Sequence, residues 1–558
     1  MRYSHFPILD IATICAHLGV QQAVISPGSR NAPLTIAFVR HPKIQCYSIS
    51  DERAAAFIAL GMAQQSGKPV ALVCTSGSAG LNYAPAVAEA YFSQVPLLLL
   101  TADRPPEWVN QADGQTIHQR NMYGQHCKAA YEIPADYIHP DALWAIRRTM
   151  CEAIHTSTAY PAGPVHINMP FREPFYPKPE DDLTFSPNLR LFEEQRGQMQ
   201  LPEDIWHSII EKVSKTPKIL LVAGQNRYEP SLVAAIEQLP FALLGDIFAN
   251  IHTARNNVFR YEIGLQQPIW HSPDLLITFG QSVLSKVLKN RLRQYPPLEH
   301  WHIQEAGHVP DVFQSLTRII RTSPVLFFQT LSQKWKDRPT TDYWLPFPLF
   351  DAARSDRRLA QLQATAPLSE PLAVYRLMQA LPQRATLHLA NSMPVRYAQA
   401  IGLRHTQTVE VFCNRGTSGI DGCVSTAVGH ALASPNKLHI LLVGDVAFLY
   451  DRNALWHNYS LPNLRIVVLN NGGGGIFRMI DGPRNLAETD EYFVTQQRLS
   501  ARSAAEEAGF AYLYANTKEQ VEAVLPKFFG NEGVPILLEI TTQQADNEQA
   551  WRFLQSPS

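Results

Sequence analysis

Two short stretches, Val443-Gly444-Asp445 and Asn470-Asn471-Gly472-Gly473, decide the fold of this chain, and 24 residues separate Asp445 from Asn470. Each stretch follows a short, almost uninterrupted apolar run, which is typical of a strand buried on both faces of a parallel sheet. Ligands of open parallel sheets bind at the carboxyl ends of the strands, so both stretches can face one ligand. The sequence therefore predicts an α/β fold with a binding site at this sheet edge.

The residue types at these two strand ends suit a magnesium ion that is bound together with a phosphate. Asp445 offers a carboxylate oxygen, Asn471 an amide oxygen and Gly473 a backbone carbonyl that no side chain obstructs. Magnesium takes about six oxygens and commonly shares some with substrate phosphates. Gly-Asp and Asn-Gly are also ordinary turn dipeptides. Their joint occurrence after two buried strands nevertheless favours a metal site.

The same alternation of buried strands and helix-length amphipathic segments runs through the whole chain. The predicted strands are Ala23–Ser26, Gln45–Ile49, Val70–Thr75, Pro96–Thr101, Val165–Asn168, Ile219–Ala223, Leu275–Phe279, Leu387–Ala390, Val409–Phe412, Leu438–Val443, Leu464–Asn470 and Ile536–Ile540. Segments 171–204 and 334–371 are rich in proline and charge and are predicted to be surface linkers. We predict three α/β domains, each a mostly parallel sheet flanked by helices, over residues 1–175, 200–335 and 366–558.

The first and third predicted domains share a plan. Residues 60–77 run through a small-residue helix, a lysine-bearing turn, a buried strand and a glycine turn, and residues 428–445 repeat that order. An internal duplication would explain the likeness and would allow a site between the two modules. The general similarity of all βαβ units would explain it equally well.

Composition excludes several classes of function. The 558 residues carry a formal net charge of −1, so no overall basic field attracts nucleic acid or anionic membranes. No apolar run approaches the length of a membrane span, and Asp10 and His17 interrupt the apolar N-terminal stretch, which is interpreted as a helix and not a signal peptide. Seven cysteines without a Cys-x-x-Cys pair indicate reduced thiols and a cytoplasmic protein.

The Gly-Asp and Asn-Asn pair at this spacing resembles the diphosphate- and metal-binding motif of the thiamine-diphosphate enzyme superfamily. The resemblance implies thiamine diphosphate and Mg²⁺ as cofactors, with Mn²⁺ as an alternative ion, and the corresponding α/β fold. Val446 departs from the pattern, because the superfamily often has a glycine there, but it supplies no ligand atom. By this resemblance the metal ligands are Asp445, Asn471 and Gly473, and the other cofactor contacts are Glu52, Gly419, Ile420, Gly444, Val446 and Ile476.

Glu52 is the predicted catalytic carboxylate. It lies in Asp51-Glu52-Arg53, between a strand and a helix, in the module opposite the metal motif. Thiamine diphosphate reacts through its own aminopyrimidine, which a glutamate must hydrogen-bond. In the superfamily this glutamate reaches across a subunit interface, which implies a homodimer or a dimer of dimers. The alternative is that Glu52 only stabilises a helix N-terminus. Ile420 is the predicted support of the bent cofactor, and its alternative is an ordinary residue of the hydrophobic core.

Arginines follow four predicted strands, at Arg30, Arg104, Arg396 and Arg415. Arginine binds carboxylates through two parallel hydrogen bonds, so four such residues at one sheet edge indicate a polycarboxylate substrate. Each arginine taken alone is more often a surface ion-pair residue.

Segments 26–30, 51–53, 101–107, 414–422 and 473–477 together resemble the 2-succinyl-5-enolpyruvyl-6-hydroxy-3-cyclohexene-1-carboxylate synthase family of menaquinone biosynthesis. The resemblance implies decarboxylation of 2-oxoglutarate and 1,4-addition of the resulting succinyl semialdehyde carbanion to isochorismate. Gly114 departs from the family, which often has an asparagine there. The substrate contacts that it implies are Ser29, Arg30, Arg104, Gln115, Lys286, Ser392, Arg396, Arg415, Phe477 and Ile480.

Other functions compete with this interpretation. An acetolactate-synthase-like carboligase or another 2-oxo-acid decarboxylase would share Glu52 and Asp445 but would not need four strand-end arginines. A non-catalytic relative has no reason to keep Glu52, Asp445 and Asn471 together. A nicotinamide dehydrogenase is disfavoured, because no Gly-x-Gly-x-x-Gly follows a predicted strand.

Overall fold

Three parallel β-sheets organise the protein. The computed structural model describes residues 5–258, 260–265, 272–335, 352–480, 482–530 and 533–556. The first sheet has the strand order β2-β1-β3-β4-β6-β5, the central sheet β11-β10-β9-β7-β8 and the third β13-β12-β14-β15-β17-β16, with these bounds: β1 Gln22–Ile25, β2 Gln45–Ser48, β3 Val70–Cys74, β4 Leu97–Asp103, β5 Ala129–Glu132, β6 Val165–Pro170, β7 Ile219–Ala223, β8 Ala242–Gly245, β9 Leu275–Phe279, β10 Glu299–Ile303, β11 Arg318–Ile320, β12 Thr386–Leu389, β13 Glu410–Phe412, β14 His439–Gly444, β15 Leu464–Asn470, β16 Ala511–Ala515 and β17 Ile536–Thr541. All strand pairs are parallel.

Helices cover the faces of these sheets, which is why the strands could be apolar on both sides. The helices are α1 Phe6–His17, α2 Ala32–Arg40, α3 Glu52–Ser66, α4 Ser78–Asn82, α5 Ala84–Phe92, α6 Pro140–Thr158, α7 Glu203–Lys215, α8 Pro230–Glu237, α9 Tyr261–Leu265, α10 Lys286–Gln294, α11 Pro324–Trp335, α12 Ala352–Thr365, α13 Glu370–Gln379, α14 Met393–Ile401, α15 Cys423–Ala433, α16 Asp445–Tyr450, α17 Ile476–Met479, α18 Arg502–Glu507, α19 Lys518–Phe529 and α20 Gln544–Gln555. Short 3₁₀ turns occupy Pro106–Trp108, Gly124–His126, Ile247–Ala249, Arg452–Leu455 and Pro483–Asn485, and a π turn spans Thr489–Val494.

The predicted fold class is confirmed, and every predicted strand is present with ends shifted by at most two residues. The strands that the sequence did not reveal are β5, β8, β10, β11 and β16. β10 shows why. Its residues His300 and His302 are buried beside Thr278, whose hydroxyl lies 2.8 Å from a ring nitrogen of each. Polar side chains that satisfy one another in the interior hide a buried strand from an apolar-run search.

The first and third sheets have the same strand order when each is numbered from its own first strand. In both, a helix that follows the second strand packs against its counterpart, α3 against α15. A Cβ on Gly61 would overlap the backbone oxygen of Thr426, and a Cβ on Gly429 would overlap that of Ile58. The glycines therefore let the two helices approach closely. This shared topology supports the internal duplication over a chance likeness of βαβ units.

The two predicted linkers differ from each other. Residues 171–202 run without helix against the first sheet, where Phe171 and Phe175 are buried. Part of the second linker, 336–351, lies outside the described residues. The remainder was not expected to fold, yet it forms α12, because Leu359 and Leu362 share one helix face and bury against the third unit. The exact domain bounds stay a prediction.

All seven cysteines are free thiols in the structure. No helix within the described ranges is both long and apolar enough to cross a membrane.

Candidate active site

The carboxyl edge of the third sheet brings the two motif stretches together. β14 and β15 are neighbours, and Gly444 pairs with Leu469, so Asp445 lies beside the turn that follows Asn470. Asp445 is buried, and burial raises the pKa of its carboxyl group to about 6. The Gln497 amide and the backbone N–H groups of Val446, Gly473 and Gly472 lower that pKa and so oppose the shift.

Asn471 and Gly473 complete the oxygen set that the sequence predicts. The Asn471 amide nitrogen donates to Glu370 over 2.8 Å, and its amide oxygen is buried with no hydrogen-bond partner. Gly473 has φ +155°, and a Cβ there would lie 2.7 Å from the Val494 oxygen. A buried carbonyl oxygen without a partner is costly in protein interiors. Together with the Asp445 carboxylate, these oxygens fit a hard divalent cation.

The glycine loop is anchored to the segment that follows the π turn. Gly474 donates its N–H to Val494 over 2.7 Å, and Gln497 donates its N–H to Gly472 over 2.9 Å. The Gln497 side chain then donates to Asp445 over 2.6 Å. Phe477, a predicted apolar wall, lies 5.8 Å from the Phe493 ring, between ring centroids.

The remaining predicted contact residues of the third unit differ in their solvent exposure. Ile476 is half-buried against the core of the third sheet, whereas Ile480 is exposed. Ile420 is half-buried and packs on the core shared by α3 and α15. Gly419 accepts a 2.7 Å hydrogen bond from Asn391 through its carbonyl. Val446 and Gly444 are half-buried beside Asp445.

Glu52 occupies the first turn of α3, where the N-cap Asp51 accepts a hydrogen bond from Ala54. Burial raises the pKa of the Glu52 carboxyl group, and the negative charge of Asp51 adds to that rise. Within the described part of the chain, no hydrogen bond or ion pair joins Glu52 to Asp445 or Asn471. The neighbours of Glu52 do contact the third unit: Asp51 accepts a hydrogen bond from Asn453, and Arg53 donates to the Tyr450 carbonyl at the end of α16.

Two of the four arginines converge beside Ser392. Arg415 donates to the Asn391 side chain over 2.7 Å, and Arg396 donates to the Ser392 carbonyl over 2.5 Å. Burial lowers the pKa of Arg396, and the positive charge of Arg415 lowers it further. The Arg415 Nε is buried without a hydrogen-bond partner. The pair leaves donor capacity for an anion.

Helix α10 of the central unit carries a second lysine close to the predicted one. Lys286 is exposed at the start of α10, whereas Lys289, one turn later, is half-buried. Burial lowers the pKa of Lys289, the positive charges of Arg415 and Arg396 add to this, and Asp246 opposes it. Lys289 therefore shares the electrostatic environment of the arginine pair. The sequence contains both lysines, three residues apart, but does not show which of them is exposed and which is half-buried.

The first-sheet residues are held by protein groups. Arg30 is buried, donates to the Phe171 carbonyl over 2.8 Å and stacks on Phe175. Arg104 forms a 2.9 Å ion pair with Asp113 and donates to the Gly114 carbonyl over 2.7 Å.

Ser29 and Gln115 are exposed in the single chain. Gln115 has φ +57° and lies against Gly77, whose added Cβ would come within 3.2 Å of the Gln115 Cα. The structure thus places both residues on the surface, at the carboxyl edge of the first sheet.

Three residues near these edges were missed from the sequence, of which two, Glu370 and Gln119, are buried and Gln497 is half-buried. Glu370 contacts Asn471 across 101 positions, Gln497 contacts Asp445 across 52, and Gln119 accepts from the Gly77 N–H across 42. Burial raises the pKa of Glu370 to about 7, and the negative charge of Asp445 contributes to that rise. No local pattern marks any of the three, because each acts through a partner that is distant in sequence.

Comparisons with known proteins agree with this geometry. Residues 10–125 match the model of the thiamine pyrophosphate enzyme, N-terminal TPP binding domain, and residues 392–540 match that of the C-terminal TPP binding domain. The chain is 44% identical over 551 residues to the 2-succinyl-5-enolpyruvyl-6-hydroxy-3-cyclohexene-1-carboxylate synthase of Cytophaga hutchinsonii, covering 98% of this chain and 97% of the relative. This chain belongs to that synthase family.

Other relatives support the assignment. The synthase of the same name from Flavobacterium psychrophilum is 39% identical over 559 residues, covering 98% of each chain. The synthase from Bacteroides fragilis is 37% identical over 549 residues, covering 96% of each. The family resemblance predicted from the motifs is confirmed, and the chain is a thiamine-pyrophosphate-dependent enzyme.

A solved structure shows the same fold. The benzoylformate decarboxylase of Polynucleobacter necessarius superposes with a TM-score of 0.70 at 16% identity, covering 98% of this chain and 99% of that one. At that identity the match speaks for the architecture alone.

Proposed function

We propose that this enzyme decarboxylates 2-oxoglutarate and adds the remaining four-carbon unit to isochorismate in a 1,4-addition, as a step of menaquinone biosynthesis. The product would be 2-succinyl-5-enolpyruvyl-6-hydroxy-3-cyclohexene-1-carboxylate, the compound in the names of the relatives. The observation that carries the proposal is the arginine pair, Arg396 and Arg415, beside Ser392 at the edge that also holds Asp445 and Asn471. Both proposed substrates are dicarboxylates, and such anions need paired guanidinium donors.

The cofactor would be held at the third sheet. Asp445, Asn471 and the Gly473 carbonyl would bind Mg²⁺, or Mn²⁺, and the N–H groups of the glycine loop would meet the diphosphate. When bound, thiamine diphosphate supplies the carbanion-stabilising centre that 2-oxo-acid decarboxylation requires. Glu52 would hold the proton of the aminopyrimidine ring, and Ile420 would support the cofactor.

The substrates would be bound by charged groups from both modules. Ser392, Arg396 and Arg415 would orient the 2-oxoglutarate carboxylates. The residues proposed to hold isochorismate or to wall the site are Ser29, Arg30, Arg104, Gln115, Lys286, Phe477 and Ile480. Arg30 and Arg104 already have protein partners, so they would bind through their remaining donors.

A homodimer, or a dimer of dimers, would complete this site. Within the described single chain no hydrogen bond or ion pair joins Glu52 to Asp445 or Asn471, and Ser29 and Gln115 are exposed there. A second copy would bring the first sheet of one protomer to the third sheet of its partner. We also propose a cytoplasmic enzyme, in keeping with seven free thiols.

The test is a mass-spectrometric assay with thiamine diphosphate, Mg²⁺, 2-oxoglutarate and isochorismate, omitting each in turn. The expected result is an adduct equal to both substrates minus carbon dioxide, which forms only when all four are present. Carbon dioxide release without an adduct would favour another 2-oxo-acid decarboxylase or carboligase. No consumption of either substrate by cofactor-loaded protein would overturn the proposal.

A matched pair of variants sharpens the assay. Arg415→Gln should reduce adduct formation by about 100-fold or more, since a buried arginine–carboxylate contact is lost. Arg404→Gln is the control, because Arg404 is exposed and pairs with Asp356. Equal activity of the two variants would contradict the assigned substrate site.

A further inference from the structure

We propose that Glu370 is a positioning residue that orients the Asn471 amide so that its oxygen faces the bound cation. This inference rests on the proposed magnesium site. Glu370 does not belong to the motif, and it would act through Asn471 and not as a ligand itself.

The hydrogen-bond chemistry of the pair determines the amide orientation. The Asn471 Nδ2 donates to the Glu370 Oε1 over 2.8 Å, and the Asn471 Oδ1 is buried with no partner. Both Glu370 oxygens accept in the structure, one from Asn471 and one from the Tyr397 hydroxyl, and an accepting oxygen binds the NH₂ end of an amide and repels the oxygen end. Glu370 thus excludes the flipped amide, which would place two N–H donors where a cation requires an oxygen.

The Glu370 carboxylate is itself fixed. Its side chain is buried at the start of α13, with 2% of the residue exposed. The Tyr397 hydroxyl donates to the Oε2 over 2.9 Å, and the backbone N–H of Glu370 donates to the Asn547 side chain over 2.7 Å. Each carboxylate oxygen therefore has its own donor, and Tyr397 can be changed without touching the bond to Asn471.

The other side-chain ligand is supported in the complementary way. The Gln497 amide nitrogen donates to the Asp445 carboxylate over 2.6 Å. The carboxylate Asp445 is thus hydrogen-bonded by the amide of Gln497, and the amide of Asn471 is hydrogen-bonded by the carboxylate of Glu370. Such outer partners of metal ligands typically contribute about 10- to 100-fold in metal affinity. The site contains both carboxylates, Asp445 and Glu370, and a divalent cation would balance their charge.

The experiment measures Mn²⁺ binding to the full chain in the presence of thiamine diphosphate, from the electron paramagnetic resonance signal of free Mn²⁺. Glu370→Met should weaken Mn²⁺ binding by about 10- to 100-fold. Glu370→Gln keeps the shape but tolerates either amide orientation, so a loss of about 3- to 10-fold is expected. Tyr397→Phe is the control and should stay within about threefold, because the bond to Asn471 remains.

A double-mutant cycle separates positioning from a merely structural role. In an Asn471→Ala background, changing Glu370 should weaken Mn²⁺ binding by no more than about twofold, because its partner is absent. Full additivity of the two changes, or unchanged binding by Glu370→Gln in the native background, would overturn the inference. If Glu370→Met does not fold, the same cycle with Glu370→Gln decides the question.

The outcome also distinguishes this inference from the proposed metal site. A native chain that binds no Mn²⁺ with thiamine diphosphate would remove the metal site and the role of Glu370 together. Binding that is lost in Asp445→Ala but unaffected by any change at Glu370 would remove the positioning role alone.

Discussion

The first and third sheets share one strand order, yet the polar side chains at their carboxyl edges are hydrogen-bonded differently. In the first sheet Asp103 is buried, and Asn168 and the Arg104 N–H donate to its two carboxylate oxygens over 2.8 and 2.7 Å. In the third sheet Asp445 lies beside the Asn471 oxygen, which has no partner. The strand-end carboxylate of the first sheet thus has a protein donor on each oxygen, whereas the third edge presents a buried amide oxygen without a partner. One strand order can therefore carry different groups at its carboxyl edge, and the side chains there decide what the edge can bind.

The largest expected effect breaks the third edge. Asp445→Ala should abolish retention of thiamine diphosphate in Mg²⁺, since it removes the proposed charged ligand. Cofactor retained after gel filtration, quantified by its thiochrome fluorescence, measures this. Asp103→Asn alters the corresponding edge of the first sheet and should retain the cofactor. Retention by Asp445→Ala close to that of the unmodified protein would contradict the metal site.

The next effect concerns the chemistry assigned to the first module. Glu52→Gln should preserve cofactor binding but slow turnover by about 10²- to 10⁴-fold, the usual contribution of proton transfer. The neighbouring Asp51→Ala should mainly lower stability by about 1 kcal/mol, because Asp51 caps α3 and alanine cannot accept the Ala54 N–H. Steady-state rates at saturating cofactor distinguish the two. Near-normal turnover of Glu52→Gln would remove its catalytic role.

A smaller effect tests whether the two modules depend equally on their contact. Gly61→Ala and Gly429→Ala should each destabilise the protein by about 1–3 kcal/mol, since the new Cβ overlaps a backbone oxygen of the facing helix. Urea unfolding of each variant gives the comparison. Gly197→Ala serves as the control, because a Cβ there has no neighbour within 4 Å. If the free energy of unfolding of either variant equals or exceeds that of the native chain, α3 and α15 do not approach each other as closely as described.

The contact between α3 and α15 is not symmetric in its polar groups. Ring nitrogens of His430 on α15 lie 3.0 and 3.1 Å from the amide oxygens of Gln65 and Gln64 on α3. His388 and His439 lie behind it, with 3.1 Å between a ring nitrogen of each. Burial lowers the pKa of all three imidazoles. The third module therefore contributes titratable groups where the first contributes neutral amides.

The smallest expected effect is a loss of stability in acid from these imidazoles. Burial lowers the pKa of His439 to about 3, and the positive charge of Lys437 adds to this. The unfolded chain then binds more protons below pH 6.5, so the stabilisation present above that pH is lost as the pH falls. Between pH 6 and pH 5, His439 should account for about 1 kcal/mol of the lost unfolding free energy.

Urea unfolding at the two pH values checks this prediction. His439→Asn should reduce the pH dependence by that amount, whereas His405→Asn, at an exposed position, should leave it unchanged. An equal pH dependence in the native chain and in His439→Asn would show that this imidazole does not titrate in the expected window.

Much of the fold and of the metal motif could be predicted because the signals are local. The apolar run that ends at Gly444 and the run that ends at Asn470 each indicate a buried strand. The predicted ligands, Asp445 and Asn471, follow these strand ends directly. The exposure of Lys286 and the half-burial of Lys289 could not be predicted, because they depend on which face of α10 packs against the rest of the protein. The helix α12 was missed because two leucines are too few to reveal periodicity before their contacts are known.

The sequence by itself determined most of the parallel strands and the family, since these follow from runs of adjacent residues and from short motifs. Only the tertiary structure decided that Arg30 is buried against Phe171, and that Glu370 and Gln497 hydrogen-bond Asn471 and Asp445. The physical reason is that a hydrogen bond depends on distance in space and is indifferent to distance along the chain. The partners of a motif therefore leave no mark near the motif itself.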